Sequence, residues 1–276
     1  MKTTIIIPTY KPKEYILECL DSIFGQTYPA SEFETIIVLN GCNEPYKSQL
    51  DEYIASHAPE GSNTHLIQTD TPGVSNARNV AIDAAKGDYI IFLDDDDFIS
   101  PTYVEGLMSV AQEDSLASAR LSIFDDKTKE EVHTNITESF RIAKEESRQQ
   151  PLTQYKARRL LSTITGKAIP RRIIGNYRFN TNFSLGEDSL FLTRLTKYIK
   201  HIPLAPDDCV YNVRKREDSA SRKRISTSKQ VWNAVSLAWE YTKMYLSDIR
   251  HNDFLFYMSR IVASLLKAIS KKYRAA

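Results

Sequence analysis

From Gly87 to Pro101 the chain reads GDYIIFLDDDDFISP, an apolar run that empties into four consecutive aspartates, Asp94 to Asp97, before a Ser-Pro. Neighbouring carboxylates repel by about 1 kcal/mol per pair in water and several-fold more beside a low-dielectric surface. Such a run therefore calls for compensation. A divalent cation is the simplest compensator. The alternative is a solvated acidic turn leading into a helix, with Ser100 as N-cap and Pro101 at the first helical position.

The sequence upstream of the run supplies its context. TTIII at residues 3–7 is a short β-branched run stopped by Pro8 and predicts a buried strand. EYILECLDSIFG then places Ile16, Leu17, Leu20, Ile23 and Phe24 at helical spacing, with Gly25 as the stop. ETIIVLNG is a second strand, PYKSQLDEYIASHA a helix, THLIQT a third strand, SNARNVAIDAAKG a helix, and DYIIFL a fourth strand. A further helix is expected after Pro101. This alternation predicts an α/β domain with a largely parallel sheet, in which ligands bind beyond the carboxyl ends of the strands. Pro8-Thr9-Tyr10, Asn40-Gly41, residues 71–78 and Asp94–Asp97 all follow predicted strands. Four loops thus converge on one rim with the aspartates among them, which favours the metal reading.

Beyond residue 115 the alternation weakens. SARLSIFDD reads as a strand, SFRIAKEESRQQ as a polar mobile segment, TQYKARRLLSTI as a helix, and GKAIPRRII as a strand and turn. SLGEDSLFLTRLTKYI is a helix with Leu190, Phe191, Leu195 and Tyr198 as its apolar stripe, and the last fifty residues read as helical throughout. Asp97 is expected to cap the turn that follows it.

A chain of 276 residues with 42% hydrophobic and 26% charged residues can bury one large core, with or without an appendage. Its three cysteines are odd in number and lack CxxC spacing, so they read as reduced thiols of a cytoplasmic protein. The N-terminal apolar run is too short for a signal peptide, and no segment approaches the roughly 20 apolar residues of a membrane span. The five histidines have no ligand spacing, and neither a Gly-x-Ser-x-Gly elbow nor a Walker loop is present, so hydrolase and ATPase readings lack support. Charge is zoned: residues 1–140 hold 9 Lys/Arg against 24 Asp/Glu, residues 141–224 hold 19 against 8, and residues 225–276 hold 8 against 3. The acidic half is a poor nucleic-acid surface, so no nucleic-acid partner is expected, and it suits a cation, while the basic zone suits phosphates or an anionic membrane.

Four blocks in order, TTIIIPTYKPKEYILECLDSIFGQTY, ETIIVLNGCNE, GVSNARNVAIDAAKGDYIIFLDDDDFISP and GEDSLFLTRL, resemble the family 2 glycosyltransferases of the GT-A (nucleotide-diphosphosugar transferase) fold, the type that builds bacterial polysaccharides. The resemblance spans about residues 3–225. It implies a GT-A catalytic domain over 1–225, with a nucleotide- and metal-binding half at 1–110 and an acceptor half at 111–225, followed by a helical tail at 226–276. It further implies that Pro8, Thr9 and Tyr10 hold the nucleoside, with Asn40 where the family usually carries an aspartate that accepts from uracil. UDP-sugar donors are favoured, but Asn40 leaves the nucleobase open, since its amide can also donate. Arg78 is expected at the nucleotide or its phosphates, or else ion-paired to the aspartates. Asp96 is implied as the direct Mg2+ or Mn2+ ligand, with Asp94 or Asp95 facing the ribose or metal-bound water. In the Glu187-Asp188 pair, Asp188 takes the place of the catalytic base, a carboxylate able to accept the proton of an acceptor hydroxyl. Arg214, Arg216 and Ser219, in the basic stretch YNVRKREDSASRKR, are expected to close over the diphosphate as a lid.

The activity implied is inverting, metal-dependent transfer of a hexosyl or N-acetylhexosaminyl group from a nucleotide-sugar donor to a glycan or lipid-linked glycan acceptor. No QxxRW element accompanies it, which favours single additions over polymerisation. The rivals are a nucleotidyltransferase, disfavoured because IPTYKPK lacks a Gly-rich loop, and a non-catalytic sugar-nucleotide or cation-binding module. The tail, with apolar residues from Phe254 to Ile269 at helical spacing and a basic end, is expected either to pack on the catalytic domain or on a second copy, or to contact the inner membrane face.

Overall fold

The computed structural model describes residues 3–148, 152–216 and 226–273. In chain order the elements are β1 (Thr3–Thr9), α1 (Tyr15–Phe24), β2 (Phe33–Asn40), α2 (Tyr46–His57), β3 (Asn63–Thr69), α3 (Val74–Ala84), β4 (Tyr89–Phe92), β5 (Phe98–Ile99), α4 (Tyr103–Val110), β6 (Ala117–Ser118), β7 (Arg120–Asp125) and α5 (Asn135–Ser147). They continue with β8 (Lys167–Pro170), α6 (Arg171–Ile174), α7 (Glu187–Leu195), β9 (Val210–Lys215), α8 (Thr227–Ser247) and α9 (Phe254–Tyr273).

A six-stranded sheet runs β3-β2-β1-β4-β8-β6. Its first four strands are mutually parallel, and β8 lies antiparallel to both β4 and β6. Both faces are covered, so strands β1, β2 and β4 are apolar without alternation, while their side chains still divide by the two-residue period of a strand. Ile6, Ile36, Val38, Ile90 and Phe92 enter one core, which also takes in residues of α3 and α7. Ile5, Ile7, Ile37, Leu39 and Ile91 enter the other, with α1 and α4. Each such side chain, fully buried, contributes about 1.5–3 kcal/mol. A second sheet, β5-β9-β7, stands beside the first.

Three local expectations are corrected. SFRIAKEESRQQ is not a mobile segment over its described part: residues 135–147 form α5, whose Phe140 and Ala143 are buried in the first core. Ser100-Pro101 does not cap α4, whose N-cap is Thr102; the Ser100 hydroxyl instead donates to the carbonyl of Asp208 at 2.7 Å. TQYKARRLLSTI folds as 3-10 turns over Lys156–Ser162 rather than as an α-helix. The tail forms α8 and α9, and one side of it joins the first core through Leu237, Tyr241, Met244, Phe256 and Tyr257. The other side leaves Trp232 and Trp239 at 74% and 60% exposure, with Leu246, Leu255 and Leu266 also exposed.

Candidate active site

The carboxyl ends of β1, β2, β3 and β4 lie on one edge of the sheet, and their loops form the rim. At its centre the four aspartates are spread onto different partners. Asp94 accepts from Arg78 Nη2 at 2.9 Å, Asp95 accepts from the Thr9 hydroxyl at 2.5 Å, and Asp96 pairs with Arg216. Asp97 accepts from the Tyr211 hydroxyl and from the Arg214 backbone N–H, both at 2.8 Å. Asp97 therefore ties β9 to the rim rather than capping the next turn. Tyr211 Oη in turn accepts from the Asp94 N–H at 3.0 Å. The protein itself thus supplies much of the compensation that four like charges require.

Arg78, on α3, is buried between the rings of Phe92 and Phe179 and bridges the two halves of the site. Its Nη1 donates to Asp188 Oδ1 at 2.7 Å while Nη2 holds Asp94. Burial opposes the charge, but Asp188 and Asp94 outweigh it and hold the guanidinium above its ordinary range. Both terminal nitrogens are taken up by carboxylates, so Arg78 is the brace between aspartates rather than an open phosphate contact. Asp188 Oδ2 accepts from the Ile164 N–H at 3.1 Å, and so the candidate base is oriented at both oxygens. Glu187 beside it is raised by burial and then by the charge of Asp188. Both stand at the start of α7, where Gly186 has φ +84° and a Cβ on it would lie 2.7 Å from Leu237 Cδ1 of α8; glycine is required there by conformation and by space.

Asn40 is buried and both ends of its amide are in use: Nδ2 donates to the Thr9 carbonyl at 2.6 Å and Oδ1 accepts from the Gly73 N–H at 2.8 Å. It locks three rim loops together and leaves its oxygen one further lone pair. Pro8 is buried in β1, whereas Tyr10 is half exposed at the rim. Arg214 does not behave as a lid residue: it is buried and bound to Glu18, to Asp126 at 2.6 Å and to the Asp96 carbonyl at 2.9 Å. Arg216 stacks over Tyr15 as it pairs with Asp96, and Ser219 lies outside the described residues.

The donor set for a cation is oxygen only, as Mg2+ and Mn2+ prefer. Asp95, largely buried, has a hydroxyl as its donor and no salt bridge among the described residues, and burial together with Asp96 and Asp94 pushes its carboxyl up to about 7. No cluster of three or more His, Cys, Asp or Glu placed to hold an ion occurs among the described residues. Of the rim carboxylates, Asp95 and Asp96 are the residues that could hold a hard cation, which keeps several positions for water and phosphate oxygens.

Several contributors escape local sequence reading. Glu34, fully buried in β2, accepts from the Thr4 hydroxyl at 2.6 Å and from the Lys86 and Gly87 N–H groups at 2.6 and 3.2 Å, fastening the α3–β4 connection to β1. Lys167 is buried near Asp188, its ammonium donating to the Thr165 carbonyl at 2.9 Å, and burial brings it down to about 7. The signal available for each was a charge inside an otherwise apolar strand.

Residues 4–172 match Glycosyl transferase family 2, and the match includes the rim loops but ends before Glu187-Asp188. The minor teichoic acid biosynthesis protein GgaB of Bacillus subtilis is 26% identical over 92% of this chain, and poly(ribitol-phosphate) beta-N-acetylglucosaminyltransferase TarS of Staphylococcus aureus is 33% identical over 36% of it. The chain spans 28% of the length of GgaB and 17% of TarS. Among solved structures, the S. aureus TarS 1–349 fragment in complex with UDP-GlcNAc superposes with a TM-score of 0.74 at 20% identity, covering 97% of this chain and 72% of that one. The mannosyltransferase PcManGT of Pyrobaculum calidifontis, with GDP-Man and Mn2+, gives 0.62 at 17% identity over all of this chain and 76% of that one. Sheet order, rim and matched residues agree: the chain belongs to glycosyl transferase family 2 and has the GT-A fold.

Proposed function

We propose that this glycosyltransferase moves a hexosyl or N-acetylhexosaminyl group from a nucleotide-diphosphate donor, a UDP-sugar in the first instance, to a hydroxyl of a cell-surface glycan or lipid-linked glycan, one residue at a time and with inversion. The observation that carries this reading is the Arg78 bridge, which brings Asp94 of the rim and Asp188 of α7 to one guanidinium at 2.9 and 2.7 Å. This bond pair supports a reading in which the acidic rim and the candidate base act on one donor–acceptor pair.

Asp188 accepts the proton of the acceptor hydroxyl, whose oxygen attacks the anomeric carbon as the bond to the diphosphate breaks; attack opposite the leaving group inverts that centre. Arg78 and the Ile164 N–H hold Asp188 in place, and each carboxylate oxygen keeps a second lone pair for the incoming proton. Tyr10, Pro8, Thr9 and Asn40 form the nucleoside end of the rim, and Arg216 stands at the phosphate end. Asp96 and Asp95 would hold Mg2+ or Mn2+, which when bound supplies positive charge to the diphosphate leaving group. Fixed positioning and electrostatics then account for most of the rate. The exposed apolar side of α8 and α9, together with the basic C-terminal zone, supports contact with the anionic inner face of the membrane, where a lipid-linked acceptor resides.

The test is a panel of nucleotide sugars with Mg2+ or Mn2+, read as nucleotide release and as thermal stabilisation. At least one UDP-sugar is expected to score in both, and Asp96→Ala is expected to lose the metal-dependent part of each. Turnover in Asp96→Ala equal to the parent would overturn the metal assignment.

A further inference from the structure

Between the start of α7 and the helical tail lies a cavity of about 480 Å3, within the range of small-molecule sites. Glu187 and Asp188 line one side, and Leu237 and Tyr241 of α8 with Arg260 and Ser264 of α9 line the other. None of Asp94 to Asp97 lines it, whereas Asp188 is shared with the site described above. Three arginines are buried among the described residues, Arg78, Arg214 and Arg260. The first two are each salt-bridged to two carboxylates. Arg260 has no salt bridge among the described residues: its Nη1 donates to the Ser162 hydroxyl at 2.9 Å, its Nη2 to the Arg158 carbonyl, and its Nε finds no acceptor.

A buried cation with no counter-charge is costly. Burial brings Arg260 down to about 10, opposed by Tyr241 and aided by the nearby Arg158. A fold that pairs its other buried arginines twice over leaves this one with two neutral acceptors and the centre of the Phe256 ring 4.9 Å from its guanidinium carbon, on the wall of a cavity that also reaches the candidate base. The same tail helices fix that base's surroundings: the Asn233 amide donates to the Leu185 carbonyl at 3.1 Å, and the Tyr241 hydroxyl bonds Ser189 at 2.9 Å.

We propose that the cavity is the acceptor subsite and that Arg260 receives an oxyanion substituent of the acceptor, a phosphate ester or a carboxylate, next to the hydroxyl that Asp188 deprotonates. The inference rests on the glycosyltransferase reading for the role of Asp188. It assigns the tail helices the task of selecting a charged acceptor over a neutral one, through a single desolvated guanidinium.

The test uses three probes of similar size, glycerol 1-phosphate, glycerate and glycerol, titrated into the full chain by ligand-observed NMR without donor. One of the two anions is expected to bind about ten- to a hundredfold more tightly than glycerol, the range of one charge-assisted contact, and which anion does so separates the phosphate and carboxylate sources. Arg260→Gln is expected to abolish the preference. Ser264→Asp sets a carboxylate one helical turn from Arg260 and is expected to abolish it too, while thermal stability holds or rises because the buried charge gains a partner. Equal binding of all three probes to the parent chain, or an anion preference that survives Ser264→Asp, overturns the proposal. Because no donor is present, a chain that releases no nucleotide in the sugar panel fails the transferase reading without deciding this one.

Discussion

Replacing Arg78 by Met keeps the length of the side chain and removes the charge that joins the two acidic groups of the site. Two charge-assisted hydrogen bonds, at 2.7 and 2.9 Å, are lost, each of the kind worth about 1.5–3 kcal/mol. Asp94 and Asp188 then face one another without their shared cation. Breaking a fully buried pair on one side costs on the order of 3–5 kcal/mol; Asp94 and Asp188 keep side-chain exposures of 39% and 19%, so water screens the stranded charges and the cost is about 2–3 kcal/mol, which at about 2–4 °C per kcal/mol lowers the melting temperature by roughly 4–12 °C. The loss depends on pH with a definite sign. Burial already raises the pKa of Asp94, against the pull of Arg78, and without the arginine it rises further. A carboxyl whose folded pKa lies above its unfolded value near 4 leaves stability intact below that value and removes it as pH rises through the folded pKa. The deficit of Arg78→Met is therefore expected to be larger at pH 8 than at pH 5. Calorimetry at both values, with circular dichroism to confirm the fold, measures it. Adding Asp188→Asn to Arg78→Met is expected to recover part of the loss, since it takes away one of the stranded charges. A melting temperature within about 2 °C of the parent at both pH values would refute the bracing role, as would a deficit indifferent to both pH and Asp188→Asn.

Asp188→Asn alone is expected to leave donor affinity near that of the parent and to lower kcat by about 10²- to 10⁴-fold, with a small stability loss where the new amide meets the Ile164 N–H; an active Asp188→Asn beside a dead Glu187→Gln would move the base by one residue. Lys167→Met is expected to stabilise the chain at pH 7: the ammonium is held down to about 7 by burial, so the parent loses stability as pH falls from about 10.5 toward 7, and the advantage of Met should narrow toward pH 10. A gain equal at both pH values would show that the charge is not its source. For the tail, deleting residues 253–276 would remove the buried Phe256 and Tyr257, so the surface double variant Trp232→Ser/Trp239→Ser is the cleaner probe. It should lower co-sedimentation with anionic vesicles and leave nucleotide release unchanged; no vesicle binding by the parent chain, with self-association by ultracentrifugation, would reassign that surface to a second copy.

What could be read from the sequence was whatever is encoded by neighbours. TTIII, ETIIVLN and DYIIFL announce β1, β2 and β4 because strands buried on both faces are continuous apolar runs; β1 runs through Pro8 to Thr9 rather than stopping at the proline, and the ends at Thr9, Asn40-Gly41 and the aspartates mark the rim. α5 was missed although its signal is in the sequence: Ile136, Phe140 and Ala143 fall at helical spacing, and the mostly polar residues between them hid it from a reading that went by composition. The pairings that organise the site were beyond local reading for a different reason. Arg78 and Asp188 are 110 residues apart, and Asp97 is 114 residues from Tyr211; only the core that α3 and α7 share, and the pairing of β9 with β5, makes them neighbours.

A charge set in an apolar run is nonetheless a signal that local sequence does carry, and the fold resolves it in three ways. Glu34 in ETIIVL is answered by a hydroxyl and two backbone N–H groups, so it is a fastening within the scaffold. Arg78, in a helix whose neighbours Ala77, Ala81 and Ile82 are buried, is answered by two carboxylates of the site and so couples its halves. Arg260, between Phe256 and Ser264 on the buried side of α9, is answered by a hydroxyl and a carbonyl and by no opposite charge among the described residues. In each case the cost of burial is similar in kind, so the quality of the answer is what distinguishes scaffold, machinery and binding surface. A buried cation answered only by neutral groups and by the Phe256 ring is destabilising in the free chain relative to one with a counter-charge, and an arriving anion that supplies the counter-charge stabilises the folded state, which is the thermodynamic form of the proposed binding site.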